Sequence, residues 1–393
     1  MALRGTKVID LTRILAGPFC TQLLADMGAD VIKVESGAGD PVRSQGTVRE
    51  GLSWYFAQFN RNKRSITLNL RTEAGKEALA RLLEGADVLV ENFRPGVLAK
   101  MGFDEARLRA INPQLVVASV NGYGSTGPYV DRPSFDFIAQ AMSGFMSVNG
   151  APDDPPMRAG PPISDLIAGL YAAFGVVCAL MARGRCVGPG SAGGQHVESS
   201  LTGGLISMLA FLSAEYFARG EVPARTGNDH SIVAPYGLFA AADGVVAVAP
   251  SNDLFVVRFL EAIGLVHILE QPQFATNPVR MQNREALRAI IEQRTRTNTV
   301  DYWIETINAG GCPCGRVMNL PEVFSDAQVQ AQDMVLEVNH PGHGLVRMTG
   351  FPVKLSETPC QIRLPAPGLG EHNDEVLSAL GYDAAAIAKL SQV

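Results

Sequence analysis

Strand-like segments alternate with helix-like segments over residues 7–124, and this alternation restricts the fold more than any other feature of the chain. The strand-like runs read KVIDLT, ADVIKVE, SITLNL, DVLVEN and LVVASVNGYG. Helical spacing follows them, as in the stretch that opens near Gly17 and Pro18 and in residues 73–84. Strands separated by helices form a parallel sheet that is covered on both faces. The pattern therefore predicts an α/β fold.

The first strand, helix and strand resemble half of a dinucleotide-binding fold. Such folds hold the cofactor pyrophosphate on a G-x-G-x-x-G turn after the first strand. Here that turn reads TRILAGPF, which lacks the glycine pattern. We therefore expect a Rossmann-like layer arrangement without bound NAD.

The character of the sequence changes near Arg225. Two β-like runs flank Ala241-Ala242-Asp243-Gly244, which indicates a hairpin. Helical stretches follow at 253–263, 284–293 and 299–309. These patterns predict a linker helix over 201–224 and a small α+β domain over 225–320.

Composition excludes several classes of partner. The chain has 393 residues, 47% hydrophobic, with a net charge of −6 and no long run of like charges, so nothing indicates nucleic acid or an anionic membrane. No apolar segment reaches the length of a membrane span without glycine, proline or polar interruptions. The first residues lack the apolar core of a signal peptide, which favours a cytoplasmic location.

Metal chemistry is also not indicated. Cys312 and Cys314 form C-P-C, which is one residue shorter than the C-x-x-C zinc clip and has no second pair nearby. The histidines are scattered and show no H-E-x-x-H spacing. We therefore predict no metal site.

Residues 157–181 predict a helix that packs closely on another element. Pro161 and Pro162 bar an earlier start, Ser164 is a candidate N-cap, and Asp165 then lies in the first turn, where the helix dipole favours an ionised carboxylate. An ordinary dipole-pairing aspartate would occupy the same place. Small residues form one face, and large apolar residues recur along the other: Ile163, Leu166, Leu170, Phe174, Val177 and Met181.

Several colinear segments together resemble the family III CoA-transferases, the group that includes formyl-CoA transferase, carnitine CoA-transferase and the α-methylacyl-CoA racemases. They are KVIDLTRILAGPFCTQLLADMGADVIKVE, NKRSITLNLRTEAGK, ADVLVENFRPG, INPQLVVASVNGYGSTGPY, SFDFIAQAMSG and PPISDLIAGLYAAFGVV. The resemblance implies a large Rossmann-like domain formed by residues 1–200 and a return segment over 321–393. It also implies a homodimer of two interlinked rings, with coenzyme A and acyl-CoA as substrates and no permanently bound cofactor.

The same resemblance assigns roles to individual residues. Asp165 occupies the place of the family's nucleophilic aspartate, while Phe135 and Asp136 would line the active site. Asp136 would orient either Asp165 or the substrate, or would simply lie in the sheet. Arg71 and Lys100 would pair with CoA phosphates, although exposed charges of this kind are usually only solvated. The implied CoA contacts are Ile14, Leu15, Ala16, Leu68, Asn69, Arg71, Asn92, Phe93, Lys100 and Met101.

Two activities compete within this family. A transferase needs a nucleophilic carboxylate, which Asp165 supplies. A racemase needs two bases on opposite sides of the α-carbon, and the family's racemases use a His-Asp pair where this chain has Phe135 and Asp136. Transferase activity is therefore favoured over racemase activity, and both over a non-catalytic CoA-binding module. Leu15, Ser36 and Phe135 replace the Gln, Arg and Tyr of formyl-CoA transferase, which predicts a less polar pocket and argues against formate and oxalate.

Overall fold

The structure is a computed structural model that describes residues 1–185 and 193–391, without the side chains of residues 184 and 185. The chain forms two compact units. The first comprises Met1–Phe145, Ala159–Ala210 and Ala327–Val393, and the second comprises Met146–Arg158 and Phe211–Asp326.

The strands lie in a large parallel sheet and in smaller antiparallel sheets. In chain order they are β1 (Lys7–Asp10), β2 (Asp30–Glu35), β3 (Val48–Arg49), β4 (Leu52–Ser53), β5 (Lys63–Thr67), β6 (Val88–Glu91), β7 (Val116–Asn121), β8 (His196–Ser200), β9 (Gly237–Ala240), β10 (Val245–Val248), β11 (Cys314–Arg316), β12 (Val335–His340) and β13 (Gly344–Thr349).

The helices alternate with the strands in the first unit and predominate in the second. In chain order they are α1 (Ala16–Asp26), α2 (Trp54–Asn60), α3 (Glu73–Glu84), α4 (Val97–Lys100), α5 (Glu105–Ile111), α6 (Asp136–Met142), α7 (Phe145–Val148), α8 (Ile163–Arg185), α9 (Leu201–Ser207), α10 (Phe211–Arg219), α11 (Asp253–Ala262), α12 (Asn277–Gln282), α13 (Arg284–Thr295), α14 (Val300–Ala309), α15 (Leu320–Ser325), α16 (Ala327–Ala331), α17 (Asn373–Ala379) and α18 (Ala384–Leu390).

The first unit is built on a six-stranded sheet in the order β5-β2-β1-β6-β7-β8, with every pairing parallel. Alternate strand residues point to opposite faces, so two cores form. Ile9, Ile32 and Leu89 pack with helices α3, α5, α17 and α18. Val8 and Val116 pack with α1 and α8 on the other face. The predicted α/β fold with a parallel sheet is confirmed.

Helix α8 is buried through its small residues. Ala168 and Ala172 are fully buried in the core shared with α1, and a Cβ added at Gly169 would lie 2.4 Å from the carbonyl oxygen of Ala16. The large apolar side chains point the other way: Phe174 is 67% exposed and Leu170 is 49% exposed. The close packing was predicted, but the face of large residues is not the buried one within this chain.

The same helix meets a length and hydropathy criterion for a membrane span. Over Ile163–Arg183, 39% of its most apolar window is buried inside the chain. The sequence had suggested no such segment, because glycine and polar residues interrupt it. The core helix of a globular protein can also pass this criterion, and α8 packs on α1 along its small face.

The C-terminal segment completes the first unit at the β5 edge of the sheet. The Ser65 backbone N–H donates to Nδ1 of His372 at 3.2 Å, and the Thr67 N–H donates to Oδ1 of Asn373 at 2.8 Å. Gly370 donates its N–H to Oγ of Ser65 at 3.1 Å. Helices α17 and α18 then add Leu377 and Ile387 to the core. The edge strand is therefore covered by the last part of the chain.

The second unit has a three-stranded antiparallel sheet, β11-β10-β9, packed with helices α11, α13 and α14. The predicted hairpin is present, with Ala241 donating its N–H to the Gly244 carbonyl oxygen at 2.8 Å. Two bounds differ from those predicted. Residues 146–158 group with this unit, and the single linker helix predicted over 201–224 is instead two helices, α9 in the first unit and α10 in the second.

Candidate active site

Asp165 lies in the first turn of α8 and faces a cavity of about 450 Å³ in the first unit. The helix begins at Ile163, directly after Pro161 and Pro162. Ser164 is therefore inside the first turn and is not the N-cap. Among the described residues that line this cavity, Asp165 alone carries a carboxyl group.

The environment of Asp165 does not favour its charge. Burial, together with the nearby Asp136 carboxylate, raises the pKa of Asp165 to about 7. The helix dipole alone predicted an aspartate that is ionised at neutral pH, and the raised pKa runs against that prediction. Desolvation and a like charge therefore outweigh the helix dipole at this position.

Asp136 holds the start of α8. It is the first residue of α6, and its Oδ1 accepts the Ser164 N–H at 3.0 Å and the Ser164 hydroxyl at 2.8 Å. Its Oδ2 accepts from Nε2 of the buried Gln140 at 2.8 Å. Asp136 therefore does not lie in the sheet. Of the roles left open for it, these contacts favour the one in which Asp136 orients the turn that carries Asp165. Phe135 lines the cavity and is 70% exposed.

The residues predicted to contact CoA divide between two cavities. Ile14, Leu15, Ala16, Asn92 and Phe93 line the Asp165 cavity. A second cavity of about 480 Å³ is lined by Leu68, Asn69, Arg71, Phe93 and Met101, so Phe93 lines both. Lys100, at the end of α4, lines neither cavity and is exposed.

The side chain of Asn92 is already engaged. Its Oδ1 accepts the Arg13 N–H at 3.0 Å, and its Nδ2 donates to the Arg13 carbonyl oxygen at 2.8 Å. One N–H of the amide then remains for a ligand. Asn92 therefore holds the β1–α1 turn at the cavity wall, which the sequence alone did not indicate.

Tyr55 is a residue near this site that the sequence did not single out. It lies on α2, where burial, followed by the charges of Asp165 and Asp40, raises its pKa to about 12. The phenol therefore stays protonated, as a hydrogen-bond donor in the electrostatic reach of Asp165. Nothing in the local pattern WYFAQFN separates Tyr55 from an ordinary core aromatic residue.

Three exposed arginines give the largely apolar Asp165 cavity a cationic rim. Arg13, Arg94 and Arg132 line it. Among the described residues, no carboxylate lies within 4 Å of any of these three guanidinium groups. The rim can therefore receive anionic groups.

A buried charge network lies behind the β1–α1 turn. Lys63 contacts Asp10 at 3.1 Å and Lys33 contacts Asp40 at 2.9 Å, with all four side chains at most 1% exposed. Burial by itself would raise the pKa of Asp10, but Lys63 and Lys33 hold that pKa below its usual value. The signal was in the sequence, because a lysine inside an apolar strand such as VIKVE needs a buried partner.

Among residues 1–185 and 193–391, no group of three or more side chains is arranged to hold a metal ion.

The chain is similar to known CoA-transferases over nearly its whole length. The chain is 37% identical to a succinate–glutarate CoA-transferase of Agrobacterium fabrum, covering 96% of this chain and 95% of the relative. It is 38% identical to an acetyl-CoA:oxalate CoA-transferase of Acetobacter aceti, covering 90% and 88%. The crystal structure of a CAIB/BAIF family protein from Brucella suis matches with a TM-score of 0.83 at 38% identity, covering 96% of this chain and 99% of that chain. The model of CoA-transferase family III matches residues 3–373. The chain therefore belongs to CoA-transferase family III and is a CoA-transferase.

Proposed function

We propose that this enzyme transfers CoA between carboxylic acids through an aspartyl-CoA thioester on Asp165. The Asp165 carboxylate attacks the thioester carbonyl of the donor; the C–S bond breaks, giving a mixed anhydride and CoA thiolate. The thiolate then attacks the aspartyl carbonyl of the anhydride, and the donor acid leaves as a carboxylate. The acceptor carboxylate attacks the aspartyl thioester, and the same two steps run in reverse.

One observation carries this proposal: the predicted CoA residues Ile14, Leu15 and Ala16 line the same cavity as Asp165, whose carboxyl group is the only one among the described lining residues. A nucleophile and its substrate must meet within about 3.5 Å before reaction. A shared cavity permits this meeting. Phe135, at the wall of the same cavity, has no group that could exchange a proton, so the second base of a racemase is missing there.

We extend the proposal to short dicarboxylic acids and their CoA thioesters as substrates. The relative from Agrobacterium is named for succinate and glutarate, and the rim arginines Arg13, Arg94 and Arg132 suit a second carboxylate. The relative named for oxalate weakens the argument against oxalate from Leu15, Ser36 and Phe135. A screen of acyl-CoA donors against mono- and dicarboxylic acceptors, read by mass spectrometry, tests this class.

The active form in this proposal is a homodimer. The exposed apolar face of α8 continues the apolar exposure of neighbouring elements, with Phe137 of α6 at 54% and Ile206 of α9 at 50%. A patch of this kind on a water-soluble chain usually marks an interface. A second copy of the chain is the partner that the family resemblance implies.

Asp165→Asn tests the mechanism. The amide keeps the size of the side chain and cannot attack a thioester, so turnover should fall at least about 1000-fold, equivalent to about 4 kcal/mol of barrier. Binding of free CoA should persist, as measured by calorimetry. After incubation with acyl-CoA and trapping with hydroxylamine, wild-type protein should carry the modification on Asp165 alone.

Asp136→Asn provides a matched control, since it makes the same chemical change at the carboxylate that binds Ser164, the chain neighbour of the proposed nucleophile. It should retain measurable turnover and a trapped intermediate. Near-normal transfer by Asp165→Asn would place the nucleophile elsewhere. Exchange of the substrate α-proton with solvent deuterium, without a covalent adduct, would instead identify a racemase.

A further inference from the structure

The turn between β1 and α1 carries Ile14 in a backbone conformation that β-branched residues avoid. Its φ is +72°, in the left-handed region. A β-branched residue there is strained unless its surroundings hold it. The turn also forms part of the Asp165 cavity through Leu15 and Ala16. What holds Ile14 therefore also holds one wall of the active site.

Side chains, rather than other backbone groups, bind the backbone of this turn. The Ile14 N–H donates to Oδ1 of Asp40 at 3.1 Å. The Thr12 N–H donates to Oδ1 of Asp10 at 2.8 Å, and the Thr12 carbonyl oxygen accepts from Nζ of Lys33 at 2.7 Å. Asn92 holds both the N–H and the carbonyl oxygen of Arg13. Three consecutive residues are thus fixed by four different side chains.

Lys33 and Asp40 are the central pair in this arrangement. Their ion pair measures 2.9 Å with both side chains buried, and each also binds the turn, Lys33 at Thr12 and Asp40 at Ile14. A buried ion pair seldom adds net stability, because desolvation offsets most of the attraction. The presence of the pair here is better explained by the two backbone groups that it binds, the Thr12 carbonyl oxygen and the Ile14 N–H.

We propose that the buried Lys33–Asp40 pair is a positioning device that keeps Ile14 left-handed and thereby sets Leu15 and Ala16 against Asp165. This inference rests on the proposed role of Asp165. Neither Lys33 nor Asp40 touches the reacting atoms in this account; both act through the turn. Asp40 also accepts the Val42 N–H at 3.2 Å, as the N-cap of the 3₁₀ turn Pro41–Ser44, so the test must separate capping from positioning.

Two double variants test the hydrogen bond to Ile14. Lys33→Met with Asp40→Asn removes both charges but keeps an amide oxygen for the Ile14 N–H. Lys33→Met with Asp40→Leu removes that acceptor at similar volume. Both avoid leaving one buried charge unpaired, which would be strongly destabilising. We expect the leucine variant to turn over about 100-fold more slowly than the asparagine variant, since small misplacements of reacting groups cost rate on that scale.

Ile14→Gly in the leucine background separates positioning from capping. Glycine adopts positive φ without strain, so this change should restore about tenfold of the lost turnover. A lost cap at Val42 or a general loss of stability would not respond to it. Equal turnover of the asparagine and leucine variants, or no gain from Ile14→Gly, would overturn the proposal.

Hydrogen exchange provides a readout that does not depend on the catalytic role of Asp165. In the wild-type protein, the amides of residues 12–14 should exchange at least about 100-fold more slowly than in a free peptide, as expected for hydrogen-bonded amides in a stable region. The Asp165→Asn protein should show the same protection, whether or not it turns over. Exchange of residues 12–14 at free-peptide rates would contradict the proposed positioning role of Lys33 and Asp40, even if Asp165 is the nucleophile.

Discussion

Asp165 combines a nucleophilic task with surroundings that oppose its ionisation. Burial and the Asp136 carboxylate raise its pKa to about 7, which makes the free carboxylate more basic than an exposed aspartate. Asp136 cannot move away, because the Ser164 N–H and hydroxyl hold it at the start of α8. The charge that disfavours ionisation of Asp165 is therefore a fixed part of the site.

This arrangement predicts a pH dependence with a defined sign. Only ionised Asp165 can attack, so kcat/KM should rise as pH increases through about 7 and then level off. Asp136→Asn removes the like charge, so the midpoint should move to lower pH. Burial remains in that variant, so the midpoint should stay above that of an exposed aspartate.

Phosphate groups of the CoA substrate also titrate near neutrality. The test therefore depends on the difference in midpoint between variants, because all of them use the same substrate. Asp374→Asn, at an exposed position in the first turn of α17, serves as the control and should leave the midpoint in place. Identical pH–rate profiles for the wild type and Asp136→Asn would show that Asp136 does not set the ionisation of Asp165.

At the scale of elements, the approach of α1 to α8 places the turn and the nucleophile side by side. Gly169 makes this approach possible, because an added Cβ would lie 2.4 Å from the Ala16 carbonyl oxygen and 3.3 Å from the Cys20 nitrogen. Both are backbone atoms of α1, so relief would require the two helices to separate.

Gly169→Ala should therefore destabilise the protein by about 1–3 kcal/mol and reduce turnover. Gly175→Ala is the matched control: it gains the same helix propensity, but its Cβ would meet the side chain of Val197, at 2.6 Å from Cγ1, rather than backbone. Urea unfolding and turnover of both variants provide the comparison. Equal stability of the two would mean that the α1–α8 contact adapts easily.

The sequence predicted the helices and strands better than it predicted the surroundings of individual side chains. The strand–helix alternation and the position of Asp165 were accessible, because periodicity and a colinear resemblance are written along the chain. The raised pKa of Asp165 and the engagement of Asn92 were not, because they depend on Asp136 and Arg13, which approach only in the folded chain. The outward face of α8 was not predictable either, since periodicity identifies an apolar stripe without its partner.

At the scale of the whole molecule, a single chain leaves large apolar side chains in water. Phe174 is 67% exposed, Met181 48% and Phe217 82%. We expect the particle in solution to have twice the 41.9 kDa mass of one chain, by light scattering. Phe174→Asp should lower the dimer fraction or the yield of folded protein, whereas Phe174→Tyr should preserve the dimer. A stable wild-type particle of 41.9 kDa that turns over normally would contradict the proposed dimer.

The covering of β5 by residues 370–373 has a consequence for biosynthesis. A ribosome makes the strands of the large sheet first, yet the edge at Ser65 and Thr67 receives His372 and Asn373 only after the chain has been made as far as residue 373. Until then the nascent protein presents an open strand edge and an unfilled core where Leu377 and Ile387 belong. A chain truncated before residue 370 would keep both features, and an open strand edge favours pairing with other chains.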